Sequence, residues 1–253
     1  MKKASKFELE FIKKELMAKN IYSFYFNRVH VERGLGKRGS AEYFDFKPGQ
    51  YMKIFLSIPY PDERGSSRYF TISSSPTDVD YLTITTKIVE SSFKLRLNKL
   101  KPGEKINAFG PLGYFDFNEK SKEQKVFLSG GMGITPYHSI LRYVDHKKLN
   151  LNIILLASFS FREEAIFLDE LKEIESSNPS IKIVYALTKE EKYYPNFERG
   201  RINSNMIKKY VQDYKKSKFF VVGPEAFEIS MLEILSKMRI SKNQIFSENF
   251  PGY

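Results

Sequence analysis

The sequence predicts a β-rich first half followed by an α/β second half, and three observations carry that prediction. In the first half, short β-rich runs alternate with clusters of Gly, Pro, Ser and Asp. In the second, strand-length apolar runs alternate with helical stretches, the pattern of a parallel sheet covered on both faces. Between the two lies 118–124, a polar run without aromatics that reads as a linker. Residues 1–118 and 119–253 are therefore expected to be separate domains.

The β-rich runs of the first half are 7–11, 21–30, 50–57, 69–73 and 81–89, several of them alternating in polarity. Turn clusters at 34–39, 47–49, 59–65, 74–80 and 101–103 separate them, and only 93–100 reads as helical. Antiparallel strands at such spacing make a small barrel or a sandwich. The second half reads as strand 126–128, helix 136–145, strand 151–157, helix 165–176, strand 181–187, helix 203–214, strand 219–222, helix 225–238 and a short strand at 244–247.

The most informative stretch joins the first of these strands to its helix. Val126, Phe127 and Leu128 form a short buried strand that breaks at Ser129-Gly130-Gly131. After Met132 and Gly133, the run Ile134-Thr135-Pro136 opens a helix, with Pro136 suited to its first turn. Glycines let the backbone approach a phosphate, and the free N–H groups of a helix start favour negative charge. The spacing is not the dinucleotide fingerprint G-x-G-x-x-G. A tight turn without a ligand explains the glycines alone equally well. Ligands of parallel sheets bind at the carboxyl ends of the strands, however, and the break at Gly223-Pro224 falls at another such end. Their shared position favours a nucleotide site.

A chain of 253 residues can bury two cores, and 42% hydrophobic with 28% charged residues describes an ordinary globular protein. The first twenty residues lack the apolar core of a signal peptide, and no apolar run approaches the roughly 20 residues of a membrane span. A cytoplasmic location is expected. The absence of cysteine excludes disulfides, thiolate nucleophiles, zinc–thiolate sites and Cys-ligated iron–sulfur clusters from these residues. His30, His138 and His146 show no metal-ligand spacing, so no metal site is expected. The net charge is +11, of which +7 falls in the first 118 residues, so the excess is spread and there is no basic tail. No nucleic-acid motif accompanies it. Anionic cofactors or an acidic protein partner account for the charge as well as plain solubility does.

Ordered motifs then make the chain recognisable. Lys47-Pro48-Gly49-Gln50-Tyr51 is a Pro-Gly-Gln turn, and Arg68-Tyr69-Phe70-Thr71 with Ser73-Ser74-Ser75-Pro76 is an Arg-x-aromatic-Thr strand with a serine-rich tail. Ser91-Ser92-Phe93-Lys94, Gly110-Pro111-Leu112-Gly113, Gly130–Pro136, Gly200-Arg201-Ile202, Val222-Gly223-Pro224 and Glu248-Asn249-Phe250 follow in order. In this order they resemble the ferredoxin–NAD(P)+ reductase superfamily, over nearly the whole chain. The resemblance implies an N-terminal antiparallel Greek-key β-barrel holding a flavin and a C-terminal Rossmann-like parallel α/β domain holding NAD(P).

By the same resemblance, Arg68 would pair with the flavin phosphate, Phe70 would stack on the ring beside Tyr69, and Thr71 would hydrogen-bond near the reactive nitrogen. Thr86 and Lys87 lie at the end of the following strand. Ser91, Ser92 and Lys94 would form the second phosphate loop. Gly130, Gly131 and Gly133 would lie under the nicotinamide dinucleotide's pyrophosphate, with Thr135 and Pro136 at the helix start and Gly223 and Pro224 opposite. Ser158 and Arg162, in the loop after the second strand of this half, would meet a ribose 2′-phosphate. Phe250 would cover the flavin and Glu248 would act as a proton relay, so that Thr71, Thr135 and Glu248 are the expected catalytic residues. Four departures stand out: Phe70 replaces the usual tyrosine, Ser91 a glycine, Lys94 a serine and Val222 a cysteine.

The expected activity is hydride transfer from NADPH or NADH to FAD, with FMN the alternative flavin, and electron delivery to an acidic redox protein such as ferredoxin or flavodoxin. The sequence has no Ser/His/Asp or paired-carboxylate constellation, in keeping with chemistry that depends on orienting two planar rings. Two other readings stand beside it: an NAD(P)H-dependent reductase of free flavin or another small acceptor, and a non-catalytic nucleotide-binding subunit. Nucleic acid is not an expected partner, and the sequence leaves the oligomeric state open.

Overall fold

A computed structural model describes residues 4–31, 41–113 and 118–247. The described residues fall into two compact units: 4–113 joined by His138–Tyr143 of a later helix, and Asn118–Tyr137 joined by 144–247.

The first unit contains β1 (Ser5–Ala18), β2 (Ile21–Asn27), the small pair β3 (Val29–Val31) and β4 (Ala41–Tyr43), β5 (Tyr51–Phe55), β6 (Ser67–Thr71), β7 (Tyr81–Lys87), α1 (Ser92–Asn98) and β8 (Lys105–Leu112). Six of these strands form an antiparallel sheet in the order β6-β5-β8-β1-β2-β7. A single antiparallel bridge, Ile72–Ile84, and the hydrogen bond from Ser73 N to Thr83 O (2.8 Å) link the segment after β6 to β7, the strand at the other end of that order. The core of the unit is aromatic: Phe7, Phe11, Phe24, Phe26 and Phe93 pack with Met52, Ile54 and Ile84.

Two features of this sheet differ from the sequence expectation. β1 runs to Ala18, well beyond the alternating run 7–11, because β2 pairs with its charged second half across two register shifts. β8 is not among the expected runs, yet it lies between β5 and β1, with Ile106 and Ala108 turned into the core.

The second unit contains β9 (Lys125–Gly130), a 3-10 turn at Gly131–Gly133, α2 (Ile134–His146), β10 (Ile153–Phe159), α3 (Leu168–Ser177), β11 (Ile181–Leu187), β12 (Phe197–Arg199), α4 (Ser204–Tyr210), β13 (Lys218–Val222), α5 (Glu225–Lys237) and β14 (Ile245–Ser247). Its sheet is parallel in the order β12-β11-β10-β9-β13-β14. The chain leaves β9 toward β10 and later returns to its other side as β13, so the carboxyl ends of β9 and β13 flank the point where the winding reverses. Gly130 and Gly223 stand there. α3 starts three residues later than the periodicity suggests, after a 3-10 turn at Arg162–Glu164 and a left-handed Phe167 (φ 62°). Among the described residues no helix is long and apolar enough to cross a membrane. The expected class, an antiparallel β half followed by a parallel α/β half, is what the chain adopts.

Candidate functional site

The first unit gathers a cationic cluster around α1. On β6, side chains alternate between faces. Arg68 (6% exposed) and Phe70 (7%) point inward, while Tyr69 lies on the opposite face, edge-on to Tyr51 (5.8 Å) with Lys53 over its ring (5.1 Å). Tyr69 is therefore apart from Arg68 and Phe70. Phe70 packs on Phe93 of α1, and the Lys94 ammonium sits 4.7 Å from the Phe70 ring centroid. Lys94 Nζ also donates to Thr86 Oγ1 on β7. Lys87 follows Thr86 on the other face, opposite Ile21 in the β2 register.

Arg68 is held by its own loop. Its guanidinium donates to the carbonyls of Arg64 (2.7 Å), Gly65 (2.8 Å) and Ser67 (2.8 Å) and pairs with Asp62 Oδ1 (2.6 Å). The other Asp62 oxygen accepts from Ser92 N (3.2 Å) and Ser92 Oγ (3.0 Å), and the Ser91 hydroxyl caps α1 by accepting from Lys94 N (3.1 Å). Two N–H groups at the α1 start are thus already satisfied within the chain. The cluster crowds cations together: burial, and then the guanidiniums of Arg64 and Arg68, push the pKa of the Lys94 ammonium down to about 7.

Thr71 follows Phe70. Its hydroxyl is buried and has no hydrogen-bond partner among the described residues. A buried, unsatisfied hydroxyl is costly, which suits a ligand that would complete it. The serine-rich turn beyond it is anchored by Arg28 (1% exposed), whose guanidinium donates to the carbonyls of Phe44 (3.0 Å), Pro76 (2.7 Å) and Asp78 and lies over the Tyr43 and Phe46 rings.

The second unit gathers glycines at the carboxyl ends of β9 and β13. A Cβ on Gly133 would stand 2.2 Å from Val222 O, and one on Gly130 or Gly223 would meet the Phe227 ring at 2.7 or 2.6 Å. Gly131 has φ +52° and open space where a side chain would go. The 3-10 turn thus needs Gly133 for close approach and Gly131 for its backbone angle. Ser129 Oγ, just before these glycines, is buried without a partner among the described residues. Thr135 is buried in the first turn of α2 with Pro136, and its hydroxyl donates to Met132 O (3.0 Å) within the same turn. Ser158 is the register partner of Gly130 on β10. Arg162 lies farther along, its guanidinium 5.1 Å from the Tyr194 ring centroid, and it lines a cavity of about 520 Å³ beside β11 and β12 together with Lys172, Tyr185 and Phe197.

Glu248 and Phe250 lie outside the described residues. The structure adds three residues that sequence reasoning missed. Asp62 and Arg64 come from a turn cluster with no motif of its own. Glu228, on the first turn of α5, is 6% exposed and one of its oxygens has no partner among the described residues. Burial raises its pKa, partly offset by the hydrogen bond it accepts from Gly223 N–H. An acid on the apolar stripe Glu228, Met231, Leu235, close after Gly223-Pro224, was the available signal. No His/Cys/Asp/Glu group among the described residues is arranged to hold a metal.

Residues 127–232 match the oxidoreductase NAD-binding domain. The structure superposes on a ferredoxin NADP+ reductase from Neisseria gonorrhoeae with bound FAD and NADP, with a TM-score of 0.76 at 19% identity, covering 98% of this chain and 99% of that one. The chain has the ferredoxin–NADP+ reductase fold. It is the fold that the resemblance implies. The cytochrome P450 reductase GcoB of Amycolatopsis shares the fold with a TM-score of 0.79 at 18% identity, over 98% of this chain and 70% of GcoB. In sequence, the chain is 28% identical over 222 residues to the stachydrine N-demethylase reductase subunit Stc4 of Rhizobium meliloti, covering 85% of this chain and 62% of Stc4. It is likewise 28% identical over 211 residues to the glycine betaine monooxygenase reductase subunit of Pseudomonas aeruginosa, covering 82% of this chain and 57% of that protein. The chain thus spans about three-fifths of the length of these two reductase subunits.

Proposed function

We propose that the chain is an NAD(P)H-dependent flavoprotein reductase that takes a hydride from NAD(P)H onto FAD and passes electrons to a redox partner. The observation that supports this reading is that one chain carries two separate clusters suited to cofactors. One is the cluster of Arg68, Phe70, Thr71 and Lys94, and the other is the glycine turn Gly130–Gly133 with Gly223 at the carboxyl ends of β9 and β13. A module with a single nucleotide to bind would need only the second.

The residues present fit both cofactors. Arg64, Arg68 and Lys94 supply positive charge for flavin phosphates, Phe70 an aromatic neighbour, and the unpartnered Thr71 hydroxyl a hydrogen bond for a heterocycle edge. Gly131 leaves open space for a pyrophosphate at the start of α2, where N–H groups favour negative charge, while Gly130 and Gly133 let the turn pack against Phe227 and Val222. Ser158 and Arg162 are the residues we assign to the ribose end, favouring NADPH, with Thr135 and Pro136 holding the turn beside the nicotinamide. When bound, the two cofactors supply the hydride chemistry; the chain orients them, excludes water and keeps the phosphates neutralised. We assign Phe250 and Glu248 the covering and proton-relay roles that the resemblance implies.

For the acceptor we propose an acidic redox protein, ferredoxin or flavodoxin, feeding an oxygenase component. The net charge of +11 favours electrostatic steering of such a partner, and the relatives named as demethylase and monooxygenase reductase subunits point the same way. With no cysteine in these residues, a Cys-ligated cluster would belong to another polypeptide segment. The cytoplasm is the compartment we propose.

The test is an anaerobic visible spectrum of the protein with FAD, before and after NADPH or NADH in separate cuvettes. Bleaching of bound flavin by one nucleotide supports the reading and fixes the donor. Bound flavin that neither nucleotide bleaches removes hydride transfer, and failure to bind FAD or FMN removes the enzyme. Turnover with ferredoxin that falls steeply with salt would identify the acidic partner; turnover with free flavin alone would replace it with a small acceptor.

A further inference from the structure

Lys94 is set in unusual company. Its nitrogen faces the ring of Phe70 from β6 and donates to no carboxylate among the described residues; its one hydrogen bond there goes to Thr86 Oγ1 of β7. The charged groups around it are the guanidiniums of Arg64 and Arg68, from the turn before β6 and from β6 itself. The acid nearest this cluster in the hydrogen-bond network, Asp62, is committed to Arg68 and Ser92. On α1 itself, Arg96 is paired with Glu104, and Ser91 caps the helix. A cation beside two cations and a ring, with one hydroxyl for company, has little to hold its proton.

We propose that Lys94 makes FAD binding proton-linked: its amine takes up a proton as the cofactor's phosphates arrive, and serves as their titratable counter-ion. The inference rests on the flavin reading above and deepens it. The arriving phosphates supply the negative charge that the site lacks, so the ammonium form becomes the stable one in the complex. The proton comes from solvent, and no bond of the cofactor changes. Because the linkage depends on phosphate, riboflavin, which has the ring without it, should bind with no proton uptake. Serine at this position, as in the family pattern, would give no such linkage.

The sign follows from burial and the neighbouring guanidiniums, which bring the Lys94 amine down to about 7. Below that pH the amine is already protonated and FAD affinity is flat. Above it each binding event must bring a proton, so Kd weakens by up to about tenfold per pH unit until the pKa in the complex is reached.

Calorimetric titration of the full chain with FAD, in buffers of different ionisation heat, reads the proton directly. The expected uptake is roughly half a proton per FAD at about pH 7 and roughly one at about pH 8. Lys94→Arg, which keeps the charge without titrating, should bind FAD tightly with no uptake and no pH slope. Lys94→Met should bind FAD more weakly and without slope. FAD binding without proton uptake, or the same slope in Lys94→Arg as in the parent, overturns the proposal and leaves the flavin reading standing. A folded chain that binds neither FAD nor riboflavin at any of these pH values overturns both.

Discussion

Gly133 packs against the carbonyl of Val222 so closely that a Cβ on it would lie 2.2 Å from the oxygen. The contact ties the turn after β9 to the end of β13, and the partner is backbone, which cannot rotate away. Gly133→Ala should therefore cost at least the roughly 1–3 kcal/mol of core overpacking and abolish dinucleotide binding. Gly131→Ala has free space and only a positive φ to bear, for about 1–2 kcal/mol. Denaturant midpoints for the two variants, with NADP+ binding by fluorescence titration, test the contrast; equal losses would contradict it.

The Thr71 hydroxyl is buried without a partner among the described residues. Thr71→Val replaces it with a methyl of the same shape, so stability without added cofactor should be unchanged or higher. Flavin reduction by NAD(P)H should instead slow by roughly tenfold to a hundredfold, the worth of one buried hydrogen bond of about 1.5–3 kcal/mol. Stopped-flow reduction and thermal melts on the same preparations separate the two effects.

Arg28 holds three carbonyls and stacks on two rings, at 4.2 Å from Tyr43 and 5.0 Å from Phe46. Arg28→Met leaves those carbonyls in a buried site without a donor. We expect a loss of about 3–5 kcal/mol, seen as a lower denaturant midpoint, together with weaker flavin binding as the serine-rich turn loosens. Unchanged stability would mean that water replaces the guanidinium.

Burial raises the Glu228 carboxyl above its ordinary value of 4.5 in the folded chain. Between the unfolded and folded pKa values, the folded state binds more protons, so stability falls as pH rises from about 4.5 through the folded pKa and then levels off. Glu228→Gln cannot ionise and should lose that fall, becoming more stable relative to the parent toward neutral pH. Urea melts from acid to neutral pH would show the two curves separating; parallel curves would refute the assignment.

The class of fold and most of the candidate site follow from local sequence. Alternation along 7–11 and 81–87, apolar runs such as 153–157, and turn residues at strand ends set the elements, because side-chain period and backbone preference act within a few residues. Gly130, Gly133 and Gly223 were legible as breaks at strand ends, whereas Arg68, Phe70 and Lys94 were legible only through the resemblance of their motifs to a known family. Other features depend on neighbours distant in sequence. β8 is a strand, despite Gly110-Pro111, because β1 and β5 supply its hydrogen bonds. β1 extends through its lysines because β2 pairs along it. Asp62 captures Arg68 and the α1 start, Tyr69 turns away from Phe70 by strand alternation, and Glu228 loses its water under the α5 face. Each is a matter of which backbone group or charge comes within hydrogen-bond reach, and only the folded chain decides that.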